Sequence, residues 1–329
     1  MRRRVWRHGT VSAVGFGAMS FGGFYGPTTE SDSLRTLAAA LDLGVDFWDT
    51  ANVYGDGLCE HMIGKFLTQD KSRRARVTLA TKFAIRRRDD GARFFDNSAA
   101  HIREALDGSR KRLGVDHIDL YYVHRVDKSI PIEDTVGELA RLVKAGAIGA
   151  IGLSEVAPDT LRRAHDAHPI AAVQSEYSLW TRNPELGLVQ ACAELGALLV
   201  AFSPLARGYL SGLLQNVESF GDKDFRHANP RFQGLNWRRN RDRLGAFVAL
   251  AKSWGLKPAT LAIAWTLAKA PHVVPIPGTR AADHLEECAA AAEIDLTGAQ
   301  LAEIERALPL GYAAGERYSD PQWVGIQKY

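Results

Sequence analysis

A closed barrel of eight parallel strands, each followed by a helix, is the fold this chain predicts, on three observations. Short apolar segments and amphipathic helical segments alternate from one end to the other without a break. Three of the apolar segments end on a polar residue able to do chemistry, Asp49, Lys82 and His124, as strands do where their C-termini converge on one face of a barrel. The length of 329 residues suits one elaborated unit, since such barrels commonly use about 250 residues. The expectation is therefore a single α/β domain over residues 1–329, a (β/α)8 TIM barrel. Its elaborations are an N-terminal β-hairpin plug, a long loop after strand seven, and an extra C-terminal helix and tail.

Residues 5–6 and 11–14, joined across His8-Gly9, read as the plug hairpin. Residues 15–19 make the first strand and 31–43 its helix, with Leu34, Leu37, Ala38 and Leu41 on one face and Gly44 as its stop. The second strand, 45–48, is closed by Asp49, and the loop beyond it carries Tyr54 and Gly55 ahead of a helix over 58–66. Residues 77–81 deliver Lys82, with a helix over 99–113 following; residues 118–123 deliver His124, with a helix over 132–144. Strands at 148–153, 171–174 and 197–202 then alternate with helices at 158–167 and 185–195. Residues 205–240 lack a period and are rich in Gly, Arg and Asn, which predicts a long loop. Helices at 241–254 and 258–268, the eighth strand at 273–276 and its helix at 281–292 complete the ring, and 297–308 adds one more helix. The tail over 309–329 sets Tyr312, Tyr318 and Trp323 among glycines, as either a flap over the active face or a packed terminus.

Composition narrows the function classes. A hydrophobic fraction of 46% and a charged fraction of 24% are ordinary for a globular protein with a large core. The formal charge of +3 gives no footprint for nucleic acid. The runs Arg2-Arg3-Arg4, Arg73-Arg74-Arg76, Arg86-Arg87-Arg88 and Arg238-Arg239-Arg241-Arg243 read as solvated faces, Asp89-Asp90 following the third directly. Cys59, Cys192 and Cys288 fit neither a disulfide framework nor a metal-binding spacing, so no metal is expected and a reducing cytoplasm suits the chain. No apolar run is long enough to span a bilayer, and no signal peptide is apparent.

Four polar groups carry the chemistry. A tyrosine hydroxyl, with an ordinary pKa of about 10, gives its proton to a developing alkoxide only if its surroundings ease the transfer. Lys82 eases it by favouring the phenolate of Tyr54, Asp49 keeps the lysine charged, and His124 can hold a carbonyl oxygen beside the phenol. Each residue alone is more often a cap, a solvated charge or a packing group. Together at strand ends they meet the requirements of a catalytic site.

The motifs Asp49-Thr50-Ala51-x-x-Tyr54-Gly55, Thr81-Lys82, Asp119-Leu120-Tyr121-Tyr122-x-His124, Ile151-Gly152-Leu153-Ser154, Gln174-x-Glu176-Tyr177-Ser178, Ser203-Pro204-Leu205 and Ile276-Pro277-Gly278-Thr279-Arg280 resemble the aldo-keto reductase superfamily. The match runs in order over about residues 11–308 and looks closest to the long bacterial, fungal and plant branch with pyridoxal reductases and perakine reductase. The resemblance implies NADPH-dependent reduction of a small-molecule aldehyde or ketone, with catalytic Asp49, Tyr54, Lys82 and His124. It implies that Ser154 and Gln174 hold the nicotinamide carboxamide, that Phe202 stacks on the ring, and that Ser203, Pro204, Leu205 and Gly208 line the pyrophosphate. Gly278, Thr279 and Arg280 would meet the adenosine 2'-phosphate, with Glu287 near the adenine. The Pro-Gly-Thr-Arg loop entering a helix independently offers N–H groups, a hydroxyl and a forked cation to a phosphate. Glu155 stands where many relatives have Asn, so it can accept from the carboxamide but not donate to it.

The predicted substrate lining is mostly aromatic: Phe24, Tyr25, Val53, Phe83, Phe94, Phe95, Arg125, Trp180 and Trp323. Arg125 either attracts an anionic substrate or pairs with Asp127. Two rivals keep the fold. One is a nicotinamide-binding regulatory subunit, as potassium-channel beta subunits are; the other is a barrel aldolase forming a Schiff base through Lys82. A homo-oligomer is left open.

Overall fold

The computed structural model describes every residue except Gln215 and Lys223, in the predicted long loop, and Lys328 and Tyr329, in the predicted tail. One parallel sheet holds β1 (Phe16–Gly17), β2 (Phe47–Asp49), β3 (Thr78–Phe83), β4 (Ile118–Val123), β5 (Ile148–Ser154), β6 (Ile170–Glu176), β7 (Leu198–Phe202) and β8 (Val273–Ile276). Each strand pairs with the next in chain order. Helices α1 (Glu30–Asp42), α2 (Leu58–Thr68), α3 (Ala99–Leu113), α4 (Ile132–Lys144), α5 (Pro158–Ala167) and α6 (Leu188–Leu195) follow β1 to β6 in turn. After β7 come α7 (Gly234–Ser253) and α8 (Pro258–Ala268), and after β8 come α9 (Ala282–Ala289) and α10 (Gly298–Ala307).

The ring closes between β8 and β1 through two backbone bonds, Gly15 N–H to the Pro275 carbonyl at 2.9 Å and Gly17 N–H to the Pro277 carbonyl at 3.0 Å. Prolines have no N–H to send back, so this seam's bonds run from the glycines to the prolines. The approach is close: a Cβ on Gly15 would lie 2.8 Å from the Phe47 carbonyl oxygen, and one on Gly17 would lie 3.0 Å from that of Ile276. Inside the barrel, Phe47, Ala80, Leu120, Tyr122, Val200 and Val274 form one apolar cluster that Trp6 and Val11 join from below. Those two come from the hairpin of Arg3–Trp6 against Gly9–Ser12, which closes the floor.

Three stretches differ from the sequence expectation. Helix α7 begins at Gly234 rather than at residue 241, inside the predicted loop. Its inward face, Trp237, Asn240, Leu244 and Phe247, has helical spacing, but an asparagine among arginines hides the apolar period. Residues 183–186 form a separate 3-10 turn ahead of α6. The third arginine run is not a plain solvated face, because Ile85–Arg87 pairs antiparallel with Arg93–Phe95 as a second hairpin.

Candidate active site

Side chains of successive strand residues point to opposite sides of a sheet, and that alternation decides which residues reach the barrel mouth. Lys82 turns inward and is fully buried, whereas Phe83 turns outward, its ring stacked on Tyr121 at 5.0 Å. His124 follows β4, its backbone N–H held by the Phe83 carbonyl at 3.0 Å. The Lys82 ammonium donates to one oxygen of Asp49 and to the Thr50 carbonyl at 2.7 Å. The other Asp49 oxygen accepts from the Gln174 amide at 2.8 Å. Tyr54 stands over this pair, its ring centroid 5.1 Å from the Lys82 nitrogen and 5.7 Å from the His124 ring, which it meets edge-on.

The surroundings set the protonation of each group. Burial, reinforced by Asp49, raises the Tyr54 pKa well above its ordinary value, so the phenol keeps its proton. Burial and the cations Arg125, Lys82 and Arg93 push His124 well below its ordinary value, leaving a neutral imidazole. Its Nδ1 atom is buried with no hydrogen-bond partner among the described residues. Burial also raises Asp49 and lowers Lys82, and their mutual attraction opposes both shifts.

The site opens on a cavity of about 1110 Å³, larger than the roughly 300–1,000 Å³ of common ligand clefts. Asp49, Tyr54, His124, Ser154, Gln174 and Arg125 line its centre. Phe202, Ser203, Pro204, Leu205 and Gly208 line one flank, Gly278, Thr279 and Arg280 the end beside the seam, and Phe24, Tyr25 and Val53 the β1 and β2 loops. Beyond β7, Ser203, Ala206 and Arg207 take left-handed backbone angles, φ 50°, 50° and 59°, coiling the chain so that its amides can gather on an anion. At the seam, a Cβ on Gly278 would lie 3.0 Å from both the Gly17 carbonyl oxygen and the Ser20 hydroxyl. The Thr279 hydroxyl accepts from the Ala281 N–H at 3.1 Å, and Arg280 donates to the Pro27 carbonyl. This bare backbone with a hydroxyl and a guanidinium fits a phosphate, and the unpartnered imidazole fits a carbonyl oxygen.

Several expected residues lie elsewhere. Phe83 belongs to the outer core. Trp180 is buried against Phe232 and Tyr209, with rings at 5.5 and 4.0 Å, under α7. Phe94 lies beneath Arg86 and Arg88 on the second hairpin, Phe95 packs against Gly325, and Trp323 meets Tyr318 edge-on. Glu287 is outside the cavity lining, its carboxylate 3.7 Å from Lys257. Glu155 also turns away from the cavity, its backbone left-handed at φ 57° just past the end of β5. Its carboxylate accepts from Arg317, from the Ser175 hydroxyl at 3.1 Å and from the Glu176 N–H at 2.9 Å. Arg125 does not pair with Asp127, whose carboxylate accepts from Ser129.

Glu155 belongs to a buried network that sequence reasoning did not reach. Arg317 also approaches Glu176 at 3.6 Å, and Glu176 receives Arg207 at 2.9 Å and the Thr181 hydroxyl at 2.8 Å. Burial works against the charge on Arg317, but Glu155 and Glu176 outweigh it and raise its pKa. The network draws the tail across the barrel mouth, where Tyr318 and Gln322 line the cavity. On the opposite flank, Arg226 is held by Asp224 at 2.6 Å and lies 5.4 Å over the Tyr25 ring, while Phe225 N–H bonds the Phe24 carbonyl at 2.9 Å. The β7 loop thus bridges to the β1 loop over the cleft. No sequence signal links these remote segments.

A (β/α)8 barrel with a buried lysine-aspartate pair beneath a protonated tyrosine, opening on a phosphate-suited cleft, has the groups to protonate an oxygen held at its mouth. Residues 13–309 match the Aldo/keto reductase family, and the chain belongs to it. "Probable aldo-keto reductase 1" of Glycine max is 43% identical over 94% of this chain and 88% of its own length. "Aldo-keto reductase yakc [NADP(+)]" of Schizosaccharomyces pombe is 40% identical over 94% and 92%. Among solved structures, the glycerol dehydrogenase AKR11B4 from Gluconobacter oxydans superposes with a TM-score of 0.84 at 27% identity, covering 93% of this chain and 94% of that one. The aldo-keto reductase AKR11C1 from Bacillus halodurans, in its holo form, gives 0.76 at 28% identity, covering 98% and 99%. Family membership makes the protein a nicotinamide-dependent oxidoreductase of carbonyl compounds. Among the described residues no helix is long and apolar enough to cross a membrane.

Proposed function

We propose that this chain reduces an aldehyde or ketone to its alcohol with NADPH, acting as one domain in the cytoplasm, in the branch with pyridoxal and perakine reductases. The observation that carries this reading is Tyr54, protonated over the Asp49–Lys82 pair and beside a neutral His124 at the floor of the cavity. His124 donates a hydrogen bond to the carbonyl oxygen, fixing it beside the phenol. Tyr54 gives that oxygen its proton, and the phenolate left behind is stabilised by the Lys82 ammonium 5.1 Å from its ring. Asp49 keeps the lysine charged and in place. Bound nicotinamide supplies the hydride. Ser154 and Gln174 take its carboxamide and Phe202 its ring, while Ser203, Pro204, Leu205 and Gly208 line the pyrophosphate. Gly278, Thr279 and Arg280 take the 2'-phosphate. The NADP(+) in the printed name of the fission-yeast relative supports the choice of NADPH.

A Schiff base through Lys82 is opposed by the same geometry, since the amine is absent from the cavity lining and is engaged by Asp49 and Thr50. The test is NADPH oxidation with aromatic, aliphatic and sugar-derived aldehydes and pyridoxal, with wild type beside Tyr54→Phe and NADH as control. Turnover that the substitution nearly abolishes is expected. NADPH binding without reduction of any carbonyl would sink the reading and leave a regulatory nicotinamide-binding subunit.

A further inference from the structure

We propose that the carbonyl substrate carries an anionic group, a carboxylate or phosphate ester, and that Arg87, Arg93 and Arg125 receive it at the cavity mouth. The inference rests on the reductase reading and adds the substrate class. Arg87 and Arg93 are directly opposed partners across the antiparallel hairpin. Like charges at such a pair destabilise it, so the pairing costs the hairpin stability. The other face of the same hairpin shows how it is settled elsewhere: Arg86 meets Asp96 at 2.9 Å and covers Phe94. Arg87 and Arg93 face the cavity with Ile85 instead, and among the described residues neither has a carboxylate within ion-pairing distance.

Arg125 extends the cluster to the reacting centre because it follows His124 directly. It bonds the His124 carbonyl at 2.6 Å and the Ser154 hydroxyl at 3.2 Å, both neutral acceptors, and both through Nη1. Arg87 and Arg93 stay exposed to solvent, yet partial burial and repulsion from Arg87 and Arg125 still weaken the hold of Arg93 on its proton, so Arg93 is near enough to feel both. A bound anion would relieve that repulsion. Two other lining arginines are already matched, Arg207 on Glu176 at 2.9 Å and Arg226 on Asp224 at 2.6 Å. Arg280 lies at the opposite end, beside the seam. Of the lining carboxylates, Asp49 holds Lys82 and Asp32 holds Arg35, while Asp56 is exposed in the Tyr54 loop. The unmatched charge therefore gathers on the His124 side of the cleft, away from the phosphate-suited end.

The experiment compares kcat/KM with NADPH for para-carboxybenzaldehyde, its neutral methyl ester and para-formylphenyl phosphate. The wild type should favour an anion over the ester by about tenfold or more, the size of one charge-assisted hydrogen bond. The ratio should shrink with added salt. In the double variant Arg87→Gln, Arg93→Gln it should fall toward one, through KM rather than kcat. The two anions distinguish a carboxylate from a phosphate site. Equal use of acid and ester by the wild type, or equal losses on both in the variant, would overturn the proposal. If no carbonyl is turned over, calorimetric titration of the NADP+-loaded protein with para-carboxybenzyl alcohol against benzyl alcohol reads the subsite alone. Selective binding of the acid would then keep the subsite and reject the reductase reading, and equal affinities would reject the subsite.

Discussion

The ion pair under Tyr54 and the ion network under the tail share one face of the barrel but are built differently. Lys82 meets one carboxylate, Asp49, from the neighbouring strand end, and the lysine is left within reach of a titrating phenol. Under the tail, Glu155 and Glu176 share Arg317 and Arg207, with Arg317 lying 162 residues from Glu155 in sequence. A buried pair adds little net stability over an apolar alternative, but removing one partner leaves an uncompensated charge. By that measure the first site spends its desolvation on proton transfer, and the second spends it on holding distant segments in register.

The comparison can be broken by substitution. Tyr54→Phe should lower kcat by about 10²–10⁴-fold with the cofactor Kd kept, as read by NADPH oxidation and fluorescence titration. Arg317→Ala, which leaves the buried Glu155 carboxylate without a cation, should cost about 3–5 kcal/mol in urea unfolding and lower kcat far less than Tyr54→Phe. If it abolishes turnover with stability intact, the network belongs to the chemistry and the division fails. Arg280→Ala should raise KM for NADPH by about tenfold, the worth of a charge-assisted bond, and leave KM for NADH little changed.

The smallest expected effect sharpens the first site through pH. His124 has a folded pKa well below its ordinary 6.5, so below about pH 6.5 the unfolded chain takes a proton that the folded one refuses. That part of the stability is complete above 6.5 and drains away as pH falls. Urea unfolding of wild type should therefore weaken toward acid more steeply than that of His124→Gln, and parallel curves would show that the imidazole is not held neutral.

Asp49, Lys82 and His124 were legible because a parallel barrel gathers its strand ends on one face, so three separate sequence positions collapse into one place. Alternation explains part of what that rule alone misses. Phe83 follows a residue that points into the site, so it points out, whereas Glu155 lies past the strand end with a left-handed backbone, φ 57°, which no strand pattern foretells. The second hairpin was hidden by Arg86, Arg87 and Arg88, which put charge on both faces and erase the apolar-polar signature of a strand. The start of α7 was hidden by Asn240, which fills a core position by bonding the Arg231 and Ala314 carbonyls at 3.0 and 2.9 Å. The partnership of Arg317 with Glu155 depends on tertiary packing that no local pattern encodes.

The proline seam has a consequence for how the barrel moves. Its other joins are parallel ladders, one of them with a register shift between Ile170 and Ala172, and thermal opening should concentrate at the seam, where among the described residues two glycine amides hold the ring. In hydrogen-exchange measurements Gly15 and Gly17 should give up their protons ahead of the other strand amides. Because Gly278 lies against the Gly17 carbonyl, a phosphate seated there would clamp this joint. Stiffness of the whole ring and occupancy of one loop would then rise and fall together.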